Sequence, residues 1–242
     1  MKAIILAAGR GSRMKKLTDE RPKCMVELHR KPLLEWQLKA LRDAGIDDIA
    51  IVTGYKQEMF AQWNLKEFYN PRWAETNMVS SLACAQEWLK AEPCIVSYSD
   101  IFYDAAAVRS LMTCNASLAV TYDPQWLKLW VKRFGDPLLD AETFRLNDDG
   151  CLTEIGNKPN AVDEVQGQYM GLLRFTPEGW SEVMHIRNRL TSLERDKMHM
   201  TGTLQRVIDA GRVPIVGVPY LGEWGEVDNA EDLSLYQNHE IL

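Results

Sequence analysis

Two glycines in Gly9-Arg10-Gly11-Ser12-Arg13, followed by Pro22-Lys23, are residue types able to hold an anion. Glycine lets backbone N–H groups approach phosphate oxygens closely, and an arginine can clamp those oxygens in a bidentate fork. Lys23 adds a compact point charge from the far end of the stretch, beside a rigid proline. Spacing excludes two familiar phosphate sites. The dinucleotide fingerprint needs a third glycine where Met14 stands, and the G-x-x-x-x-G-K-[ST] loop of ATPases is absent.

The elements that must position this loop alternate in type. KAIILAA is short, apolar and rich in isoleucine and alanine, which predicts a buried parallel-type strand ending at Gly9. LLEWQLKALRDAG has helical spacing with Gly45 as a stop, and DDIAIVTGY reads as a second strand. SSLACAQEWLK is expected as one helix opened by Ser80 or Ser81, and PCIVSYSD as a strand ending at Asp100. DAAAVRSLMTC then reads as a helix and ASLAVTY as a strand. From residue 123 to 150, aromatics, prolines and charges break the pattern into an excursion from the sheet. CLTEIG and GQYMGLLRF resume strand character, MTGTLQRVIDAG is a helix, VPIVGVPY a strand and NAEDLSLYQNHE a final helix. With no repeat or linker, the expectation is one α/β domain over residues 1–242 carrying an inserted or appended region at 123–170. Ligands of such sheets gather at the carboxyl ends of strands, which puts residues 9–23, 53–55 and Asp100 along one rim.

Charge agrees with an anion site. Residues 1–31 hold nine Lys or Arg against three Asp or Glu, although the whole chain carries −6. An acidic protein with a basic N-terminal segment draws a small polyanion to one place, and its overall balance argues against a nucleic-acid partner. A solvated mixed-charge loop is the plainer alternative for the same cluster. The 242 residues, 46% of them hydrophobic, suffice for a substantial core. Cys24, Cys84, Cys94, Cys114 and Cys151 are scattered without a C-x-x-C pair, so a reducing, cytoplasmic setting is expected. The apolar run 3–8 is too short for a signal sequence or a span, and the chain is expected to be neither secreted nor membrane-spanning.

LAAGRGSRMKKLTDERPKCMVEL resembles the N-terminal signature of the nucleotidyltransferases that activate sugar phosphates and small phosphorylated alcohols. That signature is L-A-A-G-x-G-[ST]-R followed by T-x-x-x-P-K, the second part being Thr18 to Lys23 here. NPRWAETNMVSSLACAQ is similar to the N-x-x-S-L element of the choline-phosphate branch. IVSYSD and GEWGEVDNAEDL resemble its two metal-carboxylate segments, with Ser99 where many relatives have glycine. In its compactness the chain is more similar to bacterial phosphocholine and 2-aminoethylphosphonate cytidylyltransferases than to the longer sugar-phosphate enzymes.

The resemblance implies a Rossmann-like (GT-A-like) fold, with a mixed, mostly parallel sheet flanked by helices and 123–170 as an acceptor-binding lid region. It implies transfer of CMP from CTP to a small phosphonate or phosphorylated amino-alcohol, releasing pyrophosphate by in-line attack without a covalent intermediate. Arg13 and Lys23 would be catalytic, neutralising the triphosphate and the developing charge. Ala8, Gly9, Gly11 and Ser12 would join them in nucleotide binding, with Asn77 and Ser81 on the cytosine edge; Asn77 also reads as a helix cap. Asp100 and Asp228 would hold Mg2+, which favours hard oxygen ligands, and Glu226 could replace or support Asp228.

The acceptor end has more candidates. Trp126 and Trp130 are four apart and would share a helix face, able to cover an alkylammonium; core or homodimer packing is the ordinary alternative. Lys132, Arg133 and Lys158 are candidates for the acceptor's phosphorus group, and Asp136, Asp140, Glu142 or Glu164 for an amine. His29, His185, His199 and His239 show no metal spacing and read as structural or surface residues. Two alternatives to cytidylyl transfer stand beside it: a sugar-1-phosphate nucleotidyltransferase using another NTP, and a non-catalytic nucleotide-binding regulatory module.

Overall fold

Seven strands form the central sheet, in the order Ile215–Pro219, Leu118–Asp123, Gln168–Phe175, Cys94–Tyr98, Lys2–Leu6, Ile49–Thr53 and Lys66–Tyr69. This computed structural model describes residues 1–238; the end of NAEDLSLYQNHE, with His239, lies outside the described residues. Gln168–Phe175 runs antiparallel between its two neighbours, and the other pairs are parallel. The sheet is therefore mixed and mostly parallel, and helices cover it. That covering explains why Ile49–Thr53 is buried at every position and reads as an unbroken apolar run rather than an alternating one.

Register decides where the loops emerge. Leu6 aligns with Val52 on one side and Tyr98 on the other, so the chain leaves three parallel strands along a single rim. The Tyr55 N–H donates to the Ala8 carbonyl at 3.0 Å, tying two of those exits together. Beneath them the helix Leu33–Asp43 buries Leu34, Leu38 and Leu41, and Gly45 at φ 90° ends it.

Several elements differ from expectation. SSLACAQEWLK folds as two short helices, Met78–Ala83 and Gln86–Ala91. Asn77 opens the first, accepting the Met78 N–H at 2.7 Å, while Ser80 and Ser81 are engaged elsewhere: Ser80 Oγ donates to the Arg195 carbonyl and Ser81 Oγ accepts from Asn70. CLTEIG pairs mainly in a ribbon, Phe144–Leu146 with Leu152–Ile155, and meets the main sheet through a bridge from Cys151 to Val216. A second ribbon joins Ile101–Tyr103 to Trp224–Glu226. Thr176 caps the helix Pro177–Asn188, a Thr-Pro start visible in the sequence but not read there. No helix among the described residues is long and apolar enough to cross a membrane.

Candidate active site

The glycine loop is shaped by its own far end. Gly11 has φ 69°, and a Cβ on it would lie 2.8 Å from Lys23 Cβ, so both backbone and packing demand glycine there. Gly9 meets nothing within 4 Å and leaves open space. Thr18 Oγ donates to the Gly11 carbonyl at 3.0 Å, and Tyr55 Oη donates to the Thr18 carbonyl at 3.0 Å. These contacts fold residues 11–23 back so that Lys23 returns beneath the first turn.

Two carboxylate segments far apart in sequence are brought together by the ribbon Ile101–Tyr103 with Trp224–Glu226. It continues one step further, the Val227 N–H donating to the Asp100 carbonyl at 2.9 Å. Asp100, Glu226 and Asp228 thereby present carboxylate oxygens that all lie within 4.8 Å of one another. Lys23 Nζ sits among them, 2.8 Å from Asp100 Oδ2 and 2.5 Å from Asp228 Oδ1. Arg13 reaches Asp228 at 2.8 Å from the solvent side.

Arg133 braces the cluster from behind. Its side chain is fully buried; Nε and Nη2 bind Asp232 at 2.8 and 3.0 Å, and Nη1 donates to Glu226 at 3.2 Å. Asp232 in turn accepts the Asp228 N–H at 2.9 Å. The guanidinium fork thus orients two carboxylates at once, a job its planar geometry suits.

These contacts divide the titration behaviour. Burial, then the neighbouring Asp228 and Asp100, pushes Glu226 up to about 8. Burial opposes ionisation of Asp228 as well, yet Lys23, Arg13 and Arg133 outweigh it and hold its carboxyl below the ordinary range. Burial likewise works against the Lys23 ammonium, but Asp100, Asp228 and Glu226 raise its pKa overall. Asp100 Oδ1 is buried with no hydrogen-bond partner, an orphaned hard oxygen facing two further carboxylates. That donor set fits Mg2+, which takes oxygen ligands and keeps positions for phosphate and water.

Two cavities meet at this cluster. One of about 290 Å³ is lined by Ala8, Gly9, Gly11, Ser12, Arg13 and Lys23, and extends to Asn77, Ser81 and Asp100. The other, about 240 Å³, takes in Glu226 and Asp228 and runs toward Glu142, Gln168 and Thr201. Arg13, Met78 and Tyr98 line both and form the junction. Such a pair of spaces, with cations and carboxylates where they join, can align two anionic ligands for reaction.

Residues 3–151 match the MobA-like NTP transferase domain. A CTP:phosphoglutamine cytidylyltransferase of Campylobacter jejuni is 37% identical over 97% of this chain and 98% of its own length. The chain belongs to the MobA-like NTP transferase family. A choline-phosphate cytidylyltransferase of Streptococcus pneumoniae is 40% identical over 37% of this chain and 41% of its own. A solved CTP:phosphocholine cytidylyltransferase from S. pneumoniae superposes with TM-score 0.74 at 22% identity, covering 98% of this chain and 97% of its own, a likeness of fold.

In this NTP transferase the nucleotide-side residues named from sequence gather around one cavity, whereas the acceptor-side set does not. Trp130 is wholly buried, packed between Trp126, Phe134 and Trp224, so no ligand reaches its face. The cation over its ring is internal: the Arg133 guanidinium, 4.8 Å from the ring centroid. Arg133 itself is committed to Asp232 and Glu226 and has no exposed surface to offer a phosphate. Lys132 lies on the outer side of the helix Trp126–Phe134, beside a separate hollow with Leu221 and Trp224. Lys158 Nζ donates to the Leu138 and Leu139 carbonyls. Glu164 caps the Asn160 N–H at 2.7 Å and pairs with Arg145 at 3.4 Å. Trp130 is taken up by the core, Arg133 by Asp232 and Glu226, and Lys158 and Glu164 by groups of their own segment, so these four are corrected to structural roles; Lys132 is set apart by its place away from both cavities.

Of the amine candidates, Asp140 and Glu142 do line the second cavity. Gln168, Tyr169, His199 and Thr201 join them without having been singled out as ligand residues; His199, expected to be structural or surface, does have a structural part, accepting the Gly202 N–H as cap of the helix Met200–Ala210. No spacing links them, since strand Gln168–Phe175 and helix Met200–Ala210 approach only in the folded chain. On the nucleotide side, Trp73, Thr76, Met78 and Tyr98 were missed for the same reason.

Proposed function

We propose that this transferase moves the cytidylyl group of CTP to a phosphate or phosphonate oxygen of a small acceptor, releasing pyrophosphate. The observation that carries the reading is the junction of two cavities at Arg13, with Lys23 and three carboxylates beside it. Similarity to cytidylyltransferases supports the choice of nucleotide. Phosphoglutamine, phosphocholine and 2-aminoethylphosphonate, the acceptors in the names of relatives, are the first to try.

The acceptor oxygen forms a bond to the α-phosphorus while the bond from that phosphorus to the bridging oxygen breaks, pyrophosphate leaving with the electron pair. Backbone of Ala8, Gly9, Gly11 and Ser12 receives the phosphates, and Arg13 clamps them where they meet the acceptor. Lys23 offsets the charge that builds between the two anions; removal of one such donor costs roughly 3 to 4 kcal/mol of barrier. Ser81 and the nearby Asn77 offer polar groups to the pyrimidine edge. Asp100, Glu226 and Asp228 would hold Mg2+, which when bound supplies Lewis acidity and charge neutralisation at the phosphates. Residues 123–170 contribute the acceptor side through Asp140, Glu142 and Gln168.

The test is pyrophosphate release with CTP, UTP, ATP, GTP and dTTP against those acceptors and glucose 1-phosphate. Dependence on CTP with no use of glucose 1-phosphate is the expected result. Turnover of glucose 1-phosphate with UTP or dTTP would establish the sugar-1-phosphate alternative, a reading to which a 35% identical sugar-1-phosphate nucleotidylyltransferase/acetyltransferase of Sulfurisphaera tokodaii lends weight.

A further inference from the structure

The second cavity holds more negative charge than its reaction explains. Both substrates of a nucleotidyl transfer are anions, and a carboxylate near either is unfavourable unless it holds a cation. Glu226 and Asp228 are matched by Arg133, Lys23 and Arg13. Asp140 and Glu142 are different: among the described residues neither forms an ion pair with Lys or Arg, Glu142 being met by the Thr201 hydroxyl and the His199 ring on the same cavity wall. Arg13, the arginine on the cavity wall, is held to Asp228.

Their placement is built rather than incidental. Ala141 and Thr143 are buried, at 1% and 3% exposure, and alternate with Asp140 and Glu142, which line the cavity. The Thr143 N–H donates to the Asn157 carbonyl at 2.8 Å and the Ala141 N–H to the Pro137 carbonyl at 3.2 Å, so the strip cannot turn over. Gln168 lines the same cavity, and its Oε1 is buried and accepts no hydrogen bond. An amide oxygen left so is costly unless a donor arrives.

We propose that Asp140, Glu142 and Gln168 Oε1 form a subsite for a primary ammonium at the non-reacting end of the acceptor, and that they determine specificity for it. The inference rests on the cytidylyl-transfer reading above. A primary ammonium has N–H donors for each of these oxygens, whereas a trimethylammonium has none and leaves Gln168 unmatched. Recognition of a quaternary ammonium favours an open cage of aromatic faces; Trp126 and Trp130 are sealed in the core, and the two aromatics that line this cavity, Tyr98 and Tyr169, pack edge to face on each other with centroids 5.8 Å apart. Burial holds both Asp140 and Glu142 above the ordinary carboxylate range, the condition an incoming cation relieves.

The experiment measures initial rates of pyrophosphate release from CTP and Mg2+ for matched acceptors: phosphoethanolamine against phosphocholine, and 2-aminoethylphosphonate against its N-trimethyl form. The primary amine should be preferred in kcat/KM by about 100-fold or more, the scale on which a site built for N–H donors rejects an analogue lacking them. In Glu142→Gln and Asp140→Asn that preference should fall at least about tenfold through the acceptor KM, with the CTP KM and Tm held. Equal use of amine and trimethylated partner by the wild-type enzyme overturns the inference while leaving cytidylyl transfer standing. An unchanged preference in two folded variants overturns it too. Absence of pyrophosphate release with every acceptor overturns the cytidylyl-transfer reading, and the subsite with it.

Discussion

The loop from Gly9 to Lys23 and the segment 123–170 face the same pair of joined cavities, yet they handle charge in opposite ways. In the first, cations stand against carboxylates at contact distance, Lys23 and Arg13 both on Asp228. In the second, Asp140 and Glu142 line the cavity without a Lys or Arg partner among the described residues. A buried charge that is paired contributes to holding the fold, and its loss leaves the partner stranded. One that is unpaired awaits a ligand. Under the proposed function, the difference gives stability and bond chemistry to one wall and choice of acceptor to the other.

Lys23→Ala attacks the paired wall where both duties coincide. Turnover should fall by about 10³-fold, and urea unfolding should also shift down because Asp100 and Asp228 lose their buried cation. Single-turnover rates near wild type in a folded variant would remove Lys23 from the chemistry. Arg133→Met separates the duties, since Arg133 touches carboxylates and no cavity wall. It should cost about 3 to 5 kcal/mol of stability by equilibrium unfolding, and a loss below 1 kcal/mol, roughly the worth of an exposed pair, would refute its bracing role.

Gly11→Ala probes how the loop returns Lys23 to the cluster. Left-handed backbone costs alanine about 1 to 2 kcal/mol, and the added Cβ must also displace Lys23, so the CTP KM should rise with the loss of stability. The pH dependence of Mg2+ binding comes next. Glu226, pushed up to about 8, carries a proton at pH 7 that a cation must expel, whereas at pH 9 it is ionised. Calorimetry should therefore find binding about tenfold tighter at pH 9 than at pH 7, with proton release at the lower pH. Equal affinity at both would exclude Glu226 as a ligand. Smallest of all are Lys132→Ala, Lys158→Ala and Glu164→Gln, expected to change stability by less than about 0.5 kcal/mol with no effect on acceptor KM. A rise in acceptor KM for any of them would move the second wall outward from Asp140 and Glu142.

The nucleotide wall was legible because its requirements are local. Gly11 needs positive φ, Pro22 fixes the approach to Lys23, and both lie within one loop whose spacing survives in the linear chain. Its partner residues were partly legible: Asp100 and Asp228 were placed by likeness to known segments, but the ribbon that joins them was not read. Asn77, expected on the cytosine edge or as a helix cap, caps the helix Met78–Ala83 and also lines the cavity. The acceptor wall misled, because Trp130 and Arg133 carry the chemistry of a cation–π site and satisfy it against each other inside the core.

The alternating strands and helices and the glycine loop were readable from the sequence by itself, since period and glycine geometry act over a few neighbours, and Asp100 and Asp228 were readable through likeness to known segments. Which face of the helix Trp126–Phe134 is buried, and which oxygens meet across the second cavity, depended on contacts between distant segments. Burial converts identical side chains into braces or ligands according to what stands opposite them. Arg133 found Asp232 and became a brace; Asp140 and Glu142 met no Lys or Arg partner among the described residues and line the cavity proposed for the acceptor.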